Sequence, residues 1–343
     1  MSRRTHGVAI FGRYREPIRP VSKKHARFTP IALPVCLTFM LVNTSLAPAS
    51  ALARAKADAP KQVLSHRISD TSVTSSTDRS VPIADTLFAV AEREGWKGLE
   101  TGEIMARAGL RLVGTPYVGG TLESEGPEQC VVNLTALDCV TFFENMLAFE
   151  RCVQAGRHDL QAMRESVEWT RYRNGKRSGY ASRLHYTGDW IVNNIEKDVV
   201  TDVTRSLGGI PFPLHVDFMS SNPRFYKALQ RDSGLITVIA AQERTLSARR
   251  HWYIPKDKVA AIEKDLRSGD IIAITTSKSG LDYAHTGMIC RTVDGVAHFL
   301  HASSAKKKVV LDAAISEVLA TVPTHTGITV VRPLSLNTRH RGR

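Results

Sequence analysis

Residues 269–312 constrain this chain most. Four short stretches there, GDIIAITTS (269–277), HTGMICRTV (285–293), VAHFLHASS (296–304) and KKVVLD (307–312), have the length and alternation of strands with a face on a core. Asp294-Gly295, between the second and third, is a strong hairpin signal. A three-residue loop Val293-Asp294-Gly295, with Gly295 left-handed, pairs Thr292 with Val296 and sets His301 opposite Gly287. His285 and His301 are then diagonal neighbours on one face, with backbones roughly 7–8 Å apart. A two-residue loop would put them on opposite faces.

Upstream the periodicity is helical. IADTLFAVAERE (83–94) and LETGEIMARAGLRLVG (99–114) space apolar residues three and four apart, a helix is expected from about Cys139 to Val153, and DLQAMRESVEWTRYRNG (159–175) stops at Gly175. Residues 176–255 are mixed, with helical patches near Trp190 and Phe225 and a strand-like LITVIAA (235–241). Helices first and antiparallel strands afterwards predict an α+β fold, N-terminal helices packed on a C-terminal sheet.

The net charge of +13 would suit a polyanionic partner, but its distribution argues against nucleic acid. Residues 1–53 carry eight basic side chains against Glu16 alone, followed by the apolar run PIALPVCLTFMLV and the small-residue stretch NTSLAPASALARA. That order predicts a secretory signal over 1–53, with an uncleaved N-terminal anchor as the alternative, hence an exported, periplasmic or cell-envelope protein that meets the membrane only through its export signal. The remaining charge is read as solubility. Residues 54–84 are polar and Ser/Thr-rich, which predicts a flexible linker; 85–335 form the folded domain, and 336–343 a disordered tail.

Cys130, Cys139, Cys152 and Cys290 follow the signal. In an oxidising compartment an even count invites bridges, but a free catalytic thiol would leave at most one, for example Cys130 with Cys152 or Cys290, and an odd thiol; the pattern stays open. Asp138 is a good N-cap, so Cys139 falls in a helix's first turn, where backbone N–H groups and the helix dipole favour a thiolate. Cys139 with His285 as base and His301 as orienting group makes a nucleophilic constellation. The plain alternative is an inert buried thiol and two hydrogen-bonded imidazoles; His158, His215, His251 and His298 are read as structural. SRLHYTGDW places Arg183, His185, Tyr186, Asp189 and Trp190 as candidate substrate contacts or a structural network, and Asn133 and Asp282 flank the catalytic motifs.

The ordered set GTPYVGG, LDCVTF, GDII, HTGMI and FLHASS resembles the NlpC-type papain-like cysteine hydrolases of bacterial cell walls. VVNLTALDCVTFFEN, SRLHYTGDWIVNN, YIPK and GLDYAHTG resemble more narrowly their N-acetylmuramoyl-L-alanine amidase-like branch, over roughly residues 85–335. The resemblance implies a papain-like fold with Cys139 as nucleophile, His285 as general base and His301 as the third residue. It places Tyr117 beside the nucleophile, as support for it and for the oxyanion. It implies hydrolysis of the amide between muramic acid, in some members its anhydro form, and L-alanine, with no cofactor and no metal. Muropeptides are the expected partners and a monomer the expected state. Three rivals share parts of the pattern: a stem-peptide endopeptidase of the same fold, a non-catalytic muropeptide-binding protein, and a zinc amidase using Cys139, His285 and His301 as ligands.

Overall fold

In a computed structural model, residues 76–123 and 125–336 are described. The expected signal over 1–53, most of the expected linker and residues 337–343 of the expected tail lie outside the described residues. Five helices come first: α1 (Ser76–Arg93), α2 (Thr101–Arg111), α3 (Cys139–Ala155), α4 (Leu160–Arg171) and α5 (Thr187–Glu196). Then follow β1 (Val200–Asp202), β2 (Ile210–Phe212), α6 (Phe218–Ser221), α7 (Lys227–Arg231), α8 (Gly234–Ser247), β3 (His251–Pro255) and α9 (Val259–Ile262). The chain ends in β4 (Ile271–Thr276), β5 (Tyr283–Arg291), β6 (Ala297–Ser303), β7 (Lys308–Ala314), α10 (Ile315–Ala320) and β8 (His325–Pro333).

The strands form one antiparallel sheet in the order β2-β3-β8-β4-β5-β6-β7, and β1 pairs with β8 as well. Alternation along each strand sorts its side chains to two cores. Ile271, Ala273, Met288, Cys290 and Leu300 meet residues of α1 to α5, whereas Ile272, Ile274, Ile289, Phe299 and Ile328 pack with Val259, Ile315 and Leu319 of α9 and α10. β4 is buried along its whole length, and burial on both faces makes it a continuous apolar run from Ile271 to Ile274. The expected α+β architecture is present, with helices packed on an antiparallel sheet.

The expected hairpin register holds: Met288 faces Leu300, Ile289 faces Phe299, and Thr292 N–H donates to the Val296 carbonyl. Gly295 supplies the left-handed residue at φ +80°. Three elements depart from expectation. LITVIAA is not a strand but part of α8, whose buried Ile239, Glu243 and Leu246 follow helical spacing, so the packed face outweighs the strand propensity of Ile, Thr and Val. Among the described residues, the last part of the expected linker, 76–84, is helical and belongs to α1 (Ser76–Arg93). Buried Ser80 accepts the Leu134 N–H at 2.9 Å, and this tertiary contact holds a polar turn together despite Pro82, which removes a helix hydrogen bond. The sheet also has β8 at its centre, between β3 and β4, a strand the local pattern did not single out.

Candidate active site

Asp138 caps α3 as expected. Its Oδ1 accepts the N–H groups of Val140 (3.1 Å) and Thr141 (2.8 Å), while Thr141 Oγ1 accepts the Asp138 N–H at 2.9 Å, a reciprocal capping box. Cys139 is thereby fixed in the first turn of a helix whose Thr141–Val153 span is buried all round, and its side chain is partly exposed. The preceding strand segment is clamped too: Leu137 N–H donates to Pro116, Val118 N–H to Leu137, and Tyr117 N–H to Lys307 in the β6–β7 turn. Tyr117 therefore lies one bridge from Leu137, two residues ahead of Cys139. Its ring packs half-buried against the helical core and is not among the residues lining the cleft.

Cys139 and His285 line one cleft of about 330 Å³. Behind His285 stands His301, 5 % exposed, its Nδ1 2.7 Å from His285 Nε2, with the two rings nearly perpendicular. His301 stacks on Phe299 at 4.4 Å between centroids. Burial pushes His285 well below the ordinary histidine value, reinforced by His301 and His325 nearby, and pushes His301 down to about 4. Both imidazoles are thus neutral at pH 7, the state a general base requires. His301 Nε2 lies 3.4 Å from Asp312 Oδ2, and Lys306 Nζ is 2.8 Å from that same oxygen.

Between the two histidines, only a glycine fits. A Cβ on Gly287 would stand 2.7 Å from His301 Cβ and 2.6 Å from the Phe299 ring. Gly287→Ala is expected to cost about 1–3 kcal/mol by overpacking and to push His301 off His285. Urea denaturation together with turnover checks this; an unchanged midpoint with full activity would show that the contact yields freely.

Four of the seven expected substrate contacts line the cleft: Arg183, His185, Tyr186 and Asp282. Arg183 is neutralised by Glu123 (2.7 Å) and Glu128 (3.2 Å), and its guanidinium lies over Tyr180. His185 Nε2 donates to the Tyr180 carbonyl at 2.9 Å; burial, with Arg183 nearby, pushes it down to about 3, so it is neutral. Tyr186 donates to Glu243 at 2.7 Å. Asp282 accepts the N–H groups of Gly188, at the start of α5, and of Tyr283, both at 2.7 Å; burial raises it to about 6.

The other three candidates lie outside the lining, and Asp189 and Trp190 take the structural-network alternative. Asn133 is turned into its own loop, accepting from Thr135 and Ala136 N–H, so its side chain organises the approach to Asp138 instead of lining the pocket. Asp189, in the first turn of α5, is committed to Arg173. Trp190 is buried in the helical core, where its Nε1–H donates to Glu144 at 3.0 Å. The sequence reading also missed the cleft's floor, where Arg171 and Glu144 form a buried ion pair at 2.8 Å.

No disulfide joins Cys130, Cys139, Cys152 and Cys290, so the question the sequence left open is answered with neither pairing of Cys130 formed. Cys130 Sγ meets the Arg164 carbonyl, Cys152 lies in α3 and Cys290 in β5. Burial raises these three thiols to about 11, 12 and 11, which marks them as inert. Among the described residues no group of three or more His, Cys, Asp or Glu could hold a metal ion, and no helix is long and apolar enough to cross a membrane.

Comparison with known proteins matches residues 107–329 to the AmiA-like family model, N-acetylmuramoyl-L-alanine amidase-like. An N-acetylmuramoyl-L-alanine amidase from Bacteroides uniformis ATCC 8492 is 36% identical with a TM-score of 0.64, over 68% of this chain and 99% of that one. A Bacteroides fragilis protein labelled a candidate xylanase is 39% identical, TM-score 0.61, over 65% and 98%. A Legionella pneumophila str. Philadelphia 1 protein shares the fold at 20% identity, TM-score 0.58, over 75% and 95%. No curated protein matches. With a family model spanning most of the folded part, and an amidase aligned over nearly its whole length, this chain belongs to the N-acetylmuramoyl-L-alanine amidase-like (AmiA-like) family.

Proposed function

We propose that the protein is an exported cell-wall hydrolase that cleaves the amide between N-acetylmuramic acid and L-alanine with Cys139 as nucleophile. The observation that carries the reading is the meeting, in one cleft, of a thiol at a capped helix start and a neutral His285 backed by His301. This is the constellation of a papain-like, NlpC-type hydrolase.

His285 takes the Cys139 proton as sulfur attacks the lactyl carbonyl. It returns that proton to the nitrogen of L-alanine as the C–N bond breaks, leaving a thioester on Cys139. Water, deprotonated by His285, then releases the lactyl acid and restores the thiol. Asp138 already occupies the N–H groups of Val140 and Thr141, so the helix-start donor beside the oxyanion is the Cys139 N–H, with Tyr117 supporting this segment through its bridge to Leu137. Tyr186, His185 and Arg183 form the wall against which sugar or stem peptide lies. Residues 1–53 direct export and supply the membrane contact, and the enzyme works as a monomer.

A glycosidase reading finds less support. Retaining glycosidases need two carboxyl groups about 5–5.5 Å apart and available to substrate. Of the four cleft carboxyls, Asp282 is held by two backbone N–H groups, Glu144 by Arg171 and Trp190, Asp138 by the N–H groups of Val140 and Thr141, and Glu123 by Arg183.

The test uses an N-acetylmuramoyl dipeptide, its 1,6-anhydro form and the sugar-free peptide, with products weighed by mass spectrometry with and without EDTA. The expected products are the intact lactyl sugar acid and an unmodified L-alanyl peptide, formed equally in chelator. Release of sugar still bearing L-alanine would identify an endopeptidase, binding without turnover a non-catalytic protein, and loss of activity in chelator a zinc enzyme.

A further inference from the structure

We propose that Asp312 is a positioning residue that sets which nitrogen of each histidine carries the proton, with Lys306 moderating its charge. This rests on the catalytic reading above. The geometry comes from three neighbouring strands. His301 on β6 pairs with Val310 on β7, and Asp312 lies two residues farther along β7. His301 would likewise face Gly287 on β5, two residues from His285. His285, His301 and Asp312 therefore step diagonally across β5, β6 and β7, and the contacts of 2.7 Å and 3.4 Å join them in that order.

A carboxylate can only accept, so His301 Nε2 carries the hydrogen that faces Asp312. In a neutral ring the other nitrogen, Nδ1, then bears a lone pair. It accepts the Nε2–H of His285, whose own Nδ1 is left with a lone pair for the thiol proton. Were His301 to hold its hydrogen on Nδ1, it would donate to His285 Nε2, which would leave the hydrogen of His285 on Nδ1 with no lone pair for the thiol proton and set a lone pair of His301 Nε2 against the Asp312 carboxylate. One carboxylate thus selects both tautomers, and His285 does not have to find its base form by chance.

The charged and titratable groups around this chain are few. His301 is faced by His285 from β5, by Asp312 from β7 and by Lys306 from the β6–β7 turn. His285 is faced by His301, by His325 at the start of β8 and, across the cleft that Asp282 also lines, by Cys139. His298 meets the backbone carbonyl of Asp312, not its carboxylate. Asp312 raises the proton affinity of His301 and Lys306 lowers it, against burial that dominates both. Lys306 is half-exposed, and its backbone N–H is held separately by Ser303, so removing its side chain leaves the turn intact.

The experiment compares the full chain with Asp312→Ala, Lys306→Ala and Cys139→Ala, using the N-acetylmuramoyl dipeptide across pH and nitrogen-15 shifts of the imidazoles. For Asp312→Ala, kcat should fall about 10- to 100-fold with KM changed less than about threefold. The acid limb of its kcat/KM profile should move to lower pH by roughly half to one unit, because a charge favouring the imidazolium is gone. Lys306→Ala should move that limb to higher pH. The wild-type spectrum should show the lone pair of His301 on Nδ1, and Asp312→Ala a mixture of tautomers. If Cys139→Ala is inactive while both other variants keep the wild-type limb and nitrogen pattern, or shift the limb in one direction, the positioning role is overturned. An active Cys139→Ala would overturn the catalytic reading instead. Should Asp312→Ala not fold, an unmoved acid limb in Lys306→Ala alone overturns the role.

Discussion

Cys139→Ala should lower kcat for the muramoyl amide by about 10⁴-fold or more, and leave stability within about 0.5 kcal/mol. The two halves of this expectation have separate causes. Chemically, alanine removes the only atom at the helix start that can form the thioester, and no other described cysteine can replace it, because Cys130, Cys152 and Cys290 are buried with thiols pushed to about 11 or above. Structurally, the cap does not use the thiol: Asp138 and Thr141 make the reciprocal bonds, and alanine suits the first turn. Single-turnover assays and urea denaturation on the same preparation decide it. Retention of more than about a tenth of the activity would remove sulfur from the chemistry.

The second large effect is on folding. Arg171→Leu should destabilise the protein by about 3–5 kcal/mol, because it leaves a buried carboxylate without its counter-charge. The side chains of Arg171 and Glu144 are only 2% and 1% exposed. Arg171 also donates to the Val131 carbonyl at 2.6 Å, and Glu144 accepts the Trp190 indole N–H, so one substitution disturbs α3, α4, α5 and the loop before α3 together. Removing both charges in Glu144→Met/Arg171→Leu should cost less than the single change, since no isolated charge then remains in the core. Denaturant midpoints for the single and double variants test this. A double variant weaker than Arg171→Leu would mean that the hydrogen bonds of Glu144, not its charge, hold the floor of the cleft.

These two positions differ in how readily the sequence exposes them. Cys139 was legible because its setting is local: an N-cap residue, a thiol and an apolar helix follow one another directly. The pairing of His285 with His301 was legible for the same reason, since a hairpin closed at Asp294-Gly295 has a register set by its own loop, and Met288 opposite Leu300 is that register. Arg171 and Glu144 lie on different helices, and neither the spacing nor the polarity of WTRYRNG marks its arginine as buried. Asp312 escaped notice because the β6–β7 pairing contains a bulge between His298 and Leu300, which hides the alignment from a simple count of residues. The stretch SRLHYTGDW was readable as a group but not residue by residue. Arg183, His185 and Tyr186 reach the cleft, while Asp189 and Trp190, on the helix that follows, turn to Arg173 and to the core.

What the sequence by itself determined is the local chemistry: helices followed by an antiparallel sheet, a capped cysteine, and two imidazoles on one face of a hairpin. Each follows from interactions within a few residues or across a single turn, where periodicity and turn geometry leave little freedom. Only the tertiary structure decided that LITVIAA is a helix, that β8 lies at the centre of the sheet, that the thiols form no bridge, and that Asp312 stands behind His301. Those outcomes depend on which surfaces bury one another across long separations in sequence, and burial can override local propensity wherever the packed face is more favourable than the exposed alternative.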